Sequence, residues 1–221
     1  MAPVWAPRLE SSANSNARSC AGCSIPSRGS ISQGSALGIH LGHRRSLDLD
    51  LFTTDDAAFA AARASLPVIA ASLDARVEIL ADGPAFRRVL VSGPAGQTLR
   101  VDLVHDTAER IGGPPVESHG LRVDPLREIL VNKICAILGR SEPRDLVDLF
   151  FLDRAGFPVI NALGDARRKD GGLTPAQLAW AISQVPLDRL PDGLLVPVSL
   201  EELRTFQARL VEALERLSFP F

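Results

Sequence analysis

The sequence predicts an α+β fold in which a strand-rich first part is followed by an all-helical second part. Short segments of alternating apolar and polar residues between residues 47 and 123 indicate strands. From about residue 124 onward, apolar residues recur at the spacing of helices. With 46% hydrophobic and 23% charged residues among 221, the composition is that of a globular protein. The predicted organisation is a segment of residues 1–30, a core of residues 31–123 and a helical domain of residues 124–221.

Composition and the N-terminal segment limit the classes of function. Residues 1–30 are rich in Ser, Ala, Arg and Pro, so we expect this segment to be poorly ordered or divergent. The chain shows neither a secretory signal nor an apolar run that would span a membrane, and we expect a cytoplasmic protein. Cys20 and Cys23 form a CxxC pair without a second pair, which disfavours zinc. A net charge of −2 argues against nucleic-acid binding through bulk positive charge but leaves a local basic groove open.

The predicted elements of the first part follow from alternation, capping and turn residues. Asp55 and Asp56 can cap an alanine-rich helix, and Pro67 is expected to end or kink it. The loop Gly93–Gln97 is a hairpin signal between two strands. In chain order we predict a strand at Ser30–Ser32, a helix at Ser35–His43, a strand at Leu47–Thr53, a helix at Ala57–Leu66, and strands at Ala75–Leu80, Phe86–Ser92, Thr98–Val104 and Leu121–Val123.

The second part carries repeated helix-start signals. Asp124 followed by Pro125 predicts an N-cap and first turn for a helix that ends near Gly139. Pro143 opens a further helix, to about Leu152. Capping-box patterns at residues 174–177 and 199–202 predict two more helix starts. The last helix shows one apolar face, formed by Leu203, Phe206, Leu210, Leu214 and Leu217.

The most informative segment is the strand around Asp48 and Asp50. Residues at i and i+2 of a strand project to the same face, so Ser46, Asp48 and Asp50 share one face and the intervening leucines share the other. Two neighbouring carboxylates repel each other, and a divalent cation removes that cost. Magnesium prefers such oxygen ligands together with substrate phosphates. Taken alone, the pattern also fits a solvated face of an edge strand.

Two neighbouring features strengthen the metal interpretation. Gly34 and Ser35, near a predicted helix start, would let backbone and hydroxyl donors approach a phosphate. Asp102 lies on a strand with Arg100 on the same face, and it could complete a metal site with the two earlier aspartates. Each feature by itself is common, and a single strand aspartate is often only a solvated residue.

Charged residues of the helical part are open to two interpretations. Lys133 lies in or beside the apolar stripe of its helix, so it could extend to solvent along its alkyl stem or reach a triphosphate as a point charge. Asp145 lies near a helix start, where the helix dipole is a sufficient reason for a carboxylate.

The spaced set of motifs resembles the AbiEii/AbiGii-type nucleotidyltransferases. These are toxins of bacterial abortive-infection and toxin–antitoxin systems within the DNA polymerase β-like superfamily. The resemblance spans residues 34–152 and rests on the segments Gly34–Leu37, Gly42–Phe52, Leu99–Val104 and Leu126–Leu152. It implies a polymerase-β-like core, a mixed sheet with flanking helices, followed by a helical C-terminal domain. The chain departs from the family's usual pair of glycines in having Gln33 before Gly34.

The resemblance also implies roles for individual residues. Asp48, Asp50 and Asp102 would hold Mg²⁺ or Mn²⁺, and Asp102 could serve as the general base. Lys133 and Asp145, with Asp148 close behind, map to functional positions of the family. Residues mapped to nucleotide binding are Gly34, Ser35, Arg44 or Arg45, Ser46 and Lys133.

The function expected from this resemblance is transfer of a nucleotide from a nucleoside triphosphate to an RNA, such as a tRNA end, or to a protein. The family further implies an antitoxin partner. Gln33 and the unusual N-terminal segment leave an alternative, a nucleotide-binding protein of the same fold without catalysis. A second alternative is a structural interaction protein with solvated acidic strands.

Overall fold

The structure is a computed structural model that describes residues 29–31, 33–46, 48–118 and 121–218. The expectation for the N-terminal segment up to residue 28, and the pair Cys20 and Cys23, lie outside the described residues. Across the described ranges, no helix has both the length and the apolar character needed to cross a lipid bilayer.

A seven-stranded mixed sheet forms the first part, as the family resemblance implies; six of its strands lie where the sequence predicts strands, and the strand at Val116–Ser118 was not predicted. At its centre β2 and β5 pair in parallel, and the β4–β5 hairpin turns at Gly93–Gln97 as predicted. The sheet order is β3-β4-β5-β2-β1-β7-β6. The strands are β1 (Gly29–Ile31), β2 (Asp48–Thr53), β3 (Arg76–Asp82), β4 (Phe86–Ser92), β5 (Thr98–His105), β6 (Val116–Ser118) and β7 (Leu121–Val123).

Helices flank the sheet and fill the second part, which confirms the predicted α+β class. Asp55 caps the second helix by accepting a hydrogen bond from the backbone N–H of Ala58, and Thr174 and Gln177 form the predicted capping box. The helices are α1 (Gln33–Leu41), α2 (Asp56–Ser72), α3 (Leu126–Arg140), α4 (Pro143–Arg154), α5 (Leu163–Lys169), α6 (Pro175–Ser183) and α7 (Leu200–Ser218), with a 3₁₀ turn at Val159–Ala162.

Three local predictions differ from the structure. The helix predicted for Ala57–Leu66 continues past Pro67 to Ser72, so Pro67 does not end it. Asp124 does not cap α3, whose N-cap residue is Pro125 without a side-chain hydrogen bond. The buried carboxylate of Asp124 instead accepts a hydrogen bond from Ser30 (2.7 Å) and pairs with an arginine, since a buried carboxylate gains more from a cation than from a helix end. On the apolar face of α7, Leu217 is 49% exposed, whereas the other four residues are buried.

Two apolar cores lie against the sheet. The smaller core, between α2 and the sheet, consists of Phe59, Val89, Val101 and Leu103. The larger core joins α1 to helices α3–α7, and Leu49 and Leu51 of β2 pack against both cores. The sheet face that carries these leucines is therefore covered, and the division of the chain between residues 123 and 124 stays a prediction.

Candidate active site

The three predicted metal-binding aspartates lie on adjacent strands. In the parallel pairing of β2 with β5, Asp50 is the register partner of Asp102, and Asp48 is the partner of Arg100. Because neighbouring strands lie about 4.8 Å apart, Asp50 and Asp102 stand side by side. All three aspartates line a cleft of 170 Å³, whereas the intervening leucines of β2 pack into the cores. The shared acidic face predicted for β2 is thus present.

Two arginines bind the outer carboxylates of this group. Arg88 of β4 donates two parallel hydrogen bonds to Asp102, at 2.9 and 2.6 Å. Arg100 of β5 pairs with Asp48. Asp50 has no hydrogen bond or ion pair among the described residues; burial, together with the charges of Asp48 and Asp102, raises its pKa to about 6. We call these five residues, Asp48, Asp50, Arg88, Arg100 and Asp102, the sheet wall.

The donor chemistry of the sheet wall fits a divalent cation. Three carboxylates supply hard oxygen ligands, and Asp50 is an unpaired carboxylate whose repulsion by its neighbours a cation would relieve. Within the described residues, no three His, Cys, Asp or Glu side chains are already gathered around one metal position. Since guanidinium groups hold Asp48 and Asp102, a cation that uses all three carboxylates must either displace these arginines or share the carboxylate oxygens with them.

The start of α1 is fastened to the start of β2 by two serines. Ser35 and Ser46 both donate hydrogen bonds to the backbone carbonyl of Asp48, and Ser46 does so at 2.8 Å. Gly34 lies over Arg44, because a Cβ atom at residue 34 would come within 2.8 Å of Arg44 Nη2. The predicted phosphate-binding residues are therefore contiguous with the acidic strand, and glycine is required by this close approach.

Beneath this segment is a buried cluster that sequence reasoning only partly anticipated. Asp148 is fully buried and accepts two hydrogen bonds from Arg44, at 2.7 and 2.8 Å. His43 Nε2 lies 2.8 Å from the same carboxylate. Lys133 Nζ lies 2.7 Å from Asp148 and 2.8 Å from Asp145. We call His43, Arg44, Lys133, Asp145 and Asp148 the buried ion cluster.

Electrostatics keep Lys133 and Asp148 of this cluster ionised. Burial alone would raise the pKa of Asp148, but the charge of Lys133 and the hydrogen bonds from Arg44 and His43 hold it far below its usual range. Burial alone would lower the pKa of Lys133, yet the charges of Asp148 and Asp145 raise it above its ordinary value. Lys133 is only 2% exposed, which rules out the alternative in which it extends to solvent.

The two candidate arginines of the acidic motif have different surroundings. Arg44 is 5% exposed and belongs to the buried ion cluster. Arg45 is exposed; its backbone N–H donates to Gly193 (2.8 Å), and it lines a cavity of 890 Å³ beside Ser35 and Ser46. Which arginine contacts a nucleotide stays a prediction, as does the role of each mapped residue.

A second wall of the cleft comes from α3 and α4. Arg140 donates to both carboxylate oxygens of Asp145, at 2.7 and 2.9 Å, and Arg144 lines the same cleft. Sequence reasoning did not assign Arg88, Arg140 or His43 to the site. For Arg88 the signal was ambiguous: the strand carries Arg87 and Arg88 in succession, and only the register with β5 shows that Arg88 faces Asp102.

A mixed sheet with aspartates on adjacent strands, a Gly–Ser helix start beside them and a cationic second wall form the arrangement that the resemblance to nucleotidyltransferases implies. The sequence comparison gives the family. The model of the family described as nucleotidyl transferase AbiEii toxin, type IV toxin–antitoxin system, matches residues 34–220. The chain belongs to this family.

Solved structures show the same fold. One is the crystal structure of an H. pylori protein described as a nucleotidyltransferase, which matches with a TM-score of 0.55. The two chains are 21% identical, and the match covers 87% of this chain and 90% of that one. MenT4, a nucleotidyltransferase toxin from Mycobacterium tuberculosis, has a TM-score of 0.52 at 16% identity, over 85% of this chain and 75% of that one. A search of curated proteins gives no significant match.

Proposed function

We propose that this nucleotidyltransferase is a divalent-metal-dependent enzyme that transfers a nucleotide from a nucleoside triphosphate to an RNA, such as a tRNA end, or to a protein. The observation that carries the proposal is the position of Asp48, Asp50 and Asp102 on one open sheet face, beside Gly34 and Ser35. Family membership supports a toxin in a toxin–antitoxin system. We further propose a role in abortive infection, an antitoxin partner and action in the cytoplasm, where the nucleotide and acceptor meet.

In this proposal, Asp48, Asp50 and Asp102 hold Mg²⁺ or Mn²⁺. The metal, when bound, neutralises charge on the triphosphate and on the reacting oxygens. Gly34 lines the cleft, Ser35 and Ser46 offer hydroxyl groups, and Arg45 lies at the edge of the adjoining cavity. These residues would position the α-phosphate toward the sheet wall, and most of the rate enhancement would come from positioning and charge.

The transfer step exchanges one phosphorus–oxygen bond for another. A hydroxyl oxygen of the acceptor forms a bond to the α-phosphorus, and the bond from the α-phosphorus to the bridging oxygen of the β-phosphate breaks. Pyrophosphate leaves with that electron pair. Asp102 accepts the hydroxyl proton as general base, which requires its separation from Arg88.

Lys133 and Asp145 support the reaction from the second wall. Both line the cleft, and Lys133 shares its ammonium group between Asp145 and Asp148. Held in this way, Lys133 contributes a fixed positive charge below the phosphates. Asp145 orients Lys133 and Arg140 together, because it accepts hydrogen bonds from both.

Label transfer tests the proposal directly. Each of the four nucleoside triphosphates, labelled at the α-phosphate, is incubated with magnesium, total bacterial RNA and protein, and either wild type or Asp48→Ala. We expect label in RNA or protein with wild type and none with Asp48→Ala. The acceptor that carries the label identifies its class.

One observation favours the second candidate function, a nucleotide-binding protein without catalysis. Both outer carboxylates of the sheet wall are bound by arginines, which is the arrangement expected if no metal ever takes their place. A folded wild type that binds nucleotides but transfers no label would establish this alternative.

A further inference from the structure

Two arginines of the sheet wall have no role in the transfer step described above. Arg88 and Arg100 are both 39% exposed at the cleft, and each is bound to a carboxylate that the proposed function assigns to the metal. Their positions on β4 and β5 are fixed by register, since Arg88 is the strand partner of Asp102 and Arg100 is the strand partner of Asp48. A cation that binds these carboxylates therefore lies next to both guanidinium groups.

The pairing of Arg100 leaves part of its guanidinium unsatisfied. Its Nη2 contacts Asp48, but its Nε is buried and has no hydrogen-bond partner in the described part of the chain. A buried donor without a partner is costly in free energy. A ligand with several acceptor oxygens at this position would relieve that cost, and a phosphate group has them.

The pairing of Arg88 is well formed but exchangeable. It uses the two-pronged geometry that a guanidinium makes equally well with carboxylate and with phosphate. The Arg88 side chain is 39% exposed, so it can exchange Asp102 for another anion when a cation takes its place on that carboxylate.

We propose that Arg88 and Arg100 are nucleotide-binding residues that move from Asp102 and Asp48 to the triphosphate when a divalent cation occupies those carboxylates. This inference rests on the proposed function. The cation alone competes with two guanidinium groups, and the nucleotide alone meets arginines that are already paired. Each ligand therefore removes the obstacle to the other, and the two bind cooperatively.

The test measures the two ligands separately on the full chain. Mn²⁺ alone is titrated into wild type, Arg88→Gln and Arg100→Gln by electron paramagnetic resonance. Nucleotide analogues are then titrated in the presence of Mn²⁺. These are the four nucleoside triphosphates with a methylene group between the α- and β-phosphates, from which the enzyme cannot transfer the nucleotide. We expect each variant to bind Mn²⁺ about tenfold more tightly and the nucleotide analogue about tenfold more weakly, the size of one charged hydrogen bond gained or lost.

Arg87→Gln is the matched control. Arg87 neighbours Arg88 on the same strand and makes the same two-pronged pair, with Asp82 at 3.1 and 2.8 Å, but on the α2 side of the sheet. The control removes an equal charge without altering the sheet wall, and we expect both affinities to stay within about twofold of wild type.

Opposite changes in the two affinities support the exchange. If Arg88→Gln and Arg100→Gln match Arg87→Gln, or if they weaken Mn²⁺ and analogue together, the inference is overturned and the proposed function is not. If wild type binds neither Mn²⁺ nor any analogue, both are overturned.

Discussion

The cleft is bordered by two groups of aspartates that differ in burial and pairing. Asp145 and Asp148 are fully buried, and lysine, arginine and histidine side chains hold them in fixed positions. On the sheet wall, Asp48 and Asp102 are bound by partly exposed arginines, and Asp50 has no partner among the described residues. The same residue type thus supports the fold on one side and is available for a ligand on the other.

We expect the largest effect on stability from a substitution of Asp148. Asp148→Asn removes the charge that holds Lys133 and Arg44, so buried cations lose their partner. We expect the free energy of unfolding at pH 7 to fall by about 3–5 kcal/mol in urea denaturation. Asp153→Asn on the same helix is the control: its partner Arg209 is 65% exposed, and the expected loss is below about 1 kcal/mol. Equal losses for the two variants would refute a supporting role for Asp148.

Asp50 should show the reverse behaviour. Asp50→Asn removes an unpaired carboxylate that two neighbours repel, so we expect the metal-free free energy of unfolding to be unchanged or higher. If Asp50 binds the metal, the rate of label transfer should fall about a hundred- to a thousandfold. Glu78→Gln is the control. Glu78 is exposed and lies three strands from Asp48 at the same level of the sheet, so its substitution should leave both quantities unchanged. A marked loss of stability in Asp50→Asn would remove the contrast between the two groups.

Helix α1, which borders both groups, offers a sharper steric test. Gly34→Ala places a Cβ atom 2.8 Å from Arg44 Nη2, which Asp148 prevents from moving, and we expect a loss of about 1–3 kcal/mol in the free energy of unfolding. Gly38→Ala in the same helix meets only an ordinary contact at 3.5 Å. That control should stabilise the protein by about 0.5–1 kcal/mol through helix propensity. Changes of the same sign in both variants would show that Arg44 yields.

The pH dependence of stability gives the smallest effect. Because the pKa of Asp148 is lowered by folding, its stabilisation is complete above its ordinary pKa of about 4 and declines as the pH falls toward the folded value. Its neighbours Lys133 and Arg44 favour the ionised form through their positive charge, and His43 favours it through a hydrogen bond. We expect the difference in unfolding free energy between wild type and Asp148→Asn to be constant from pH 7 to 5 and about 1 kcal/mol smaller at pH 3. A difference that grows on acidification would contradict the assignment.

Local patterns in the sequence predicted most of the strands and helices and the aspartates of the sheet wall, but not Arg88. Alternation predicted β2 and β5, and the period of two placed Asp48 and Asp50 on one face. The capping rule failed at Asp124 because a tertiary partner, Ser30, binds its carboxylate, whereas α2 accommodates the exposed Pro67 within the helix. The functional roles of the site residues remain predictions.

The buried ion cluster could not be predicted in the same way. Its central contacts join Asp148 to His43 and Arg44, which precede it by 105 and 104 residues, and no local period reports such a distance. The same limit applies to Arg87 and Arg88, which the sequence presents as equivalent and the register separates.

That long separation affects the order of events during synthesis. A ribosome that adds about 5–20 residues per second needs roughly 5–20 seconds to extend the chain from His43 to Asp148. Throughout this interval Arg44 lacks the carboxylate that fixes it beneath Gly34. The nascent chain therefore cannot complete the contacts of this segment until α4 has been translated, and the proposed phosphate-binding residues reach their final positions only late in synthesis.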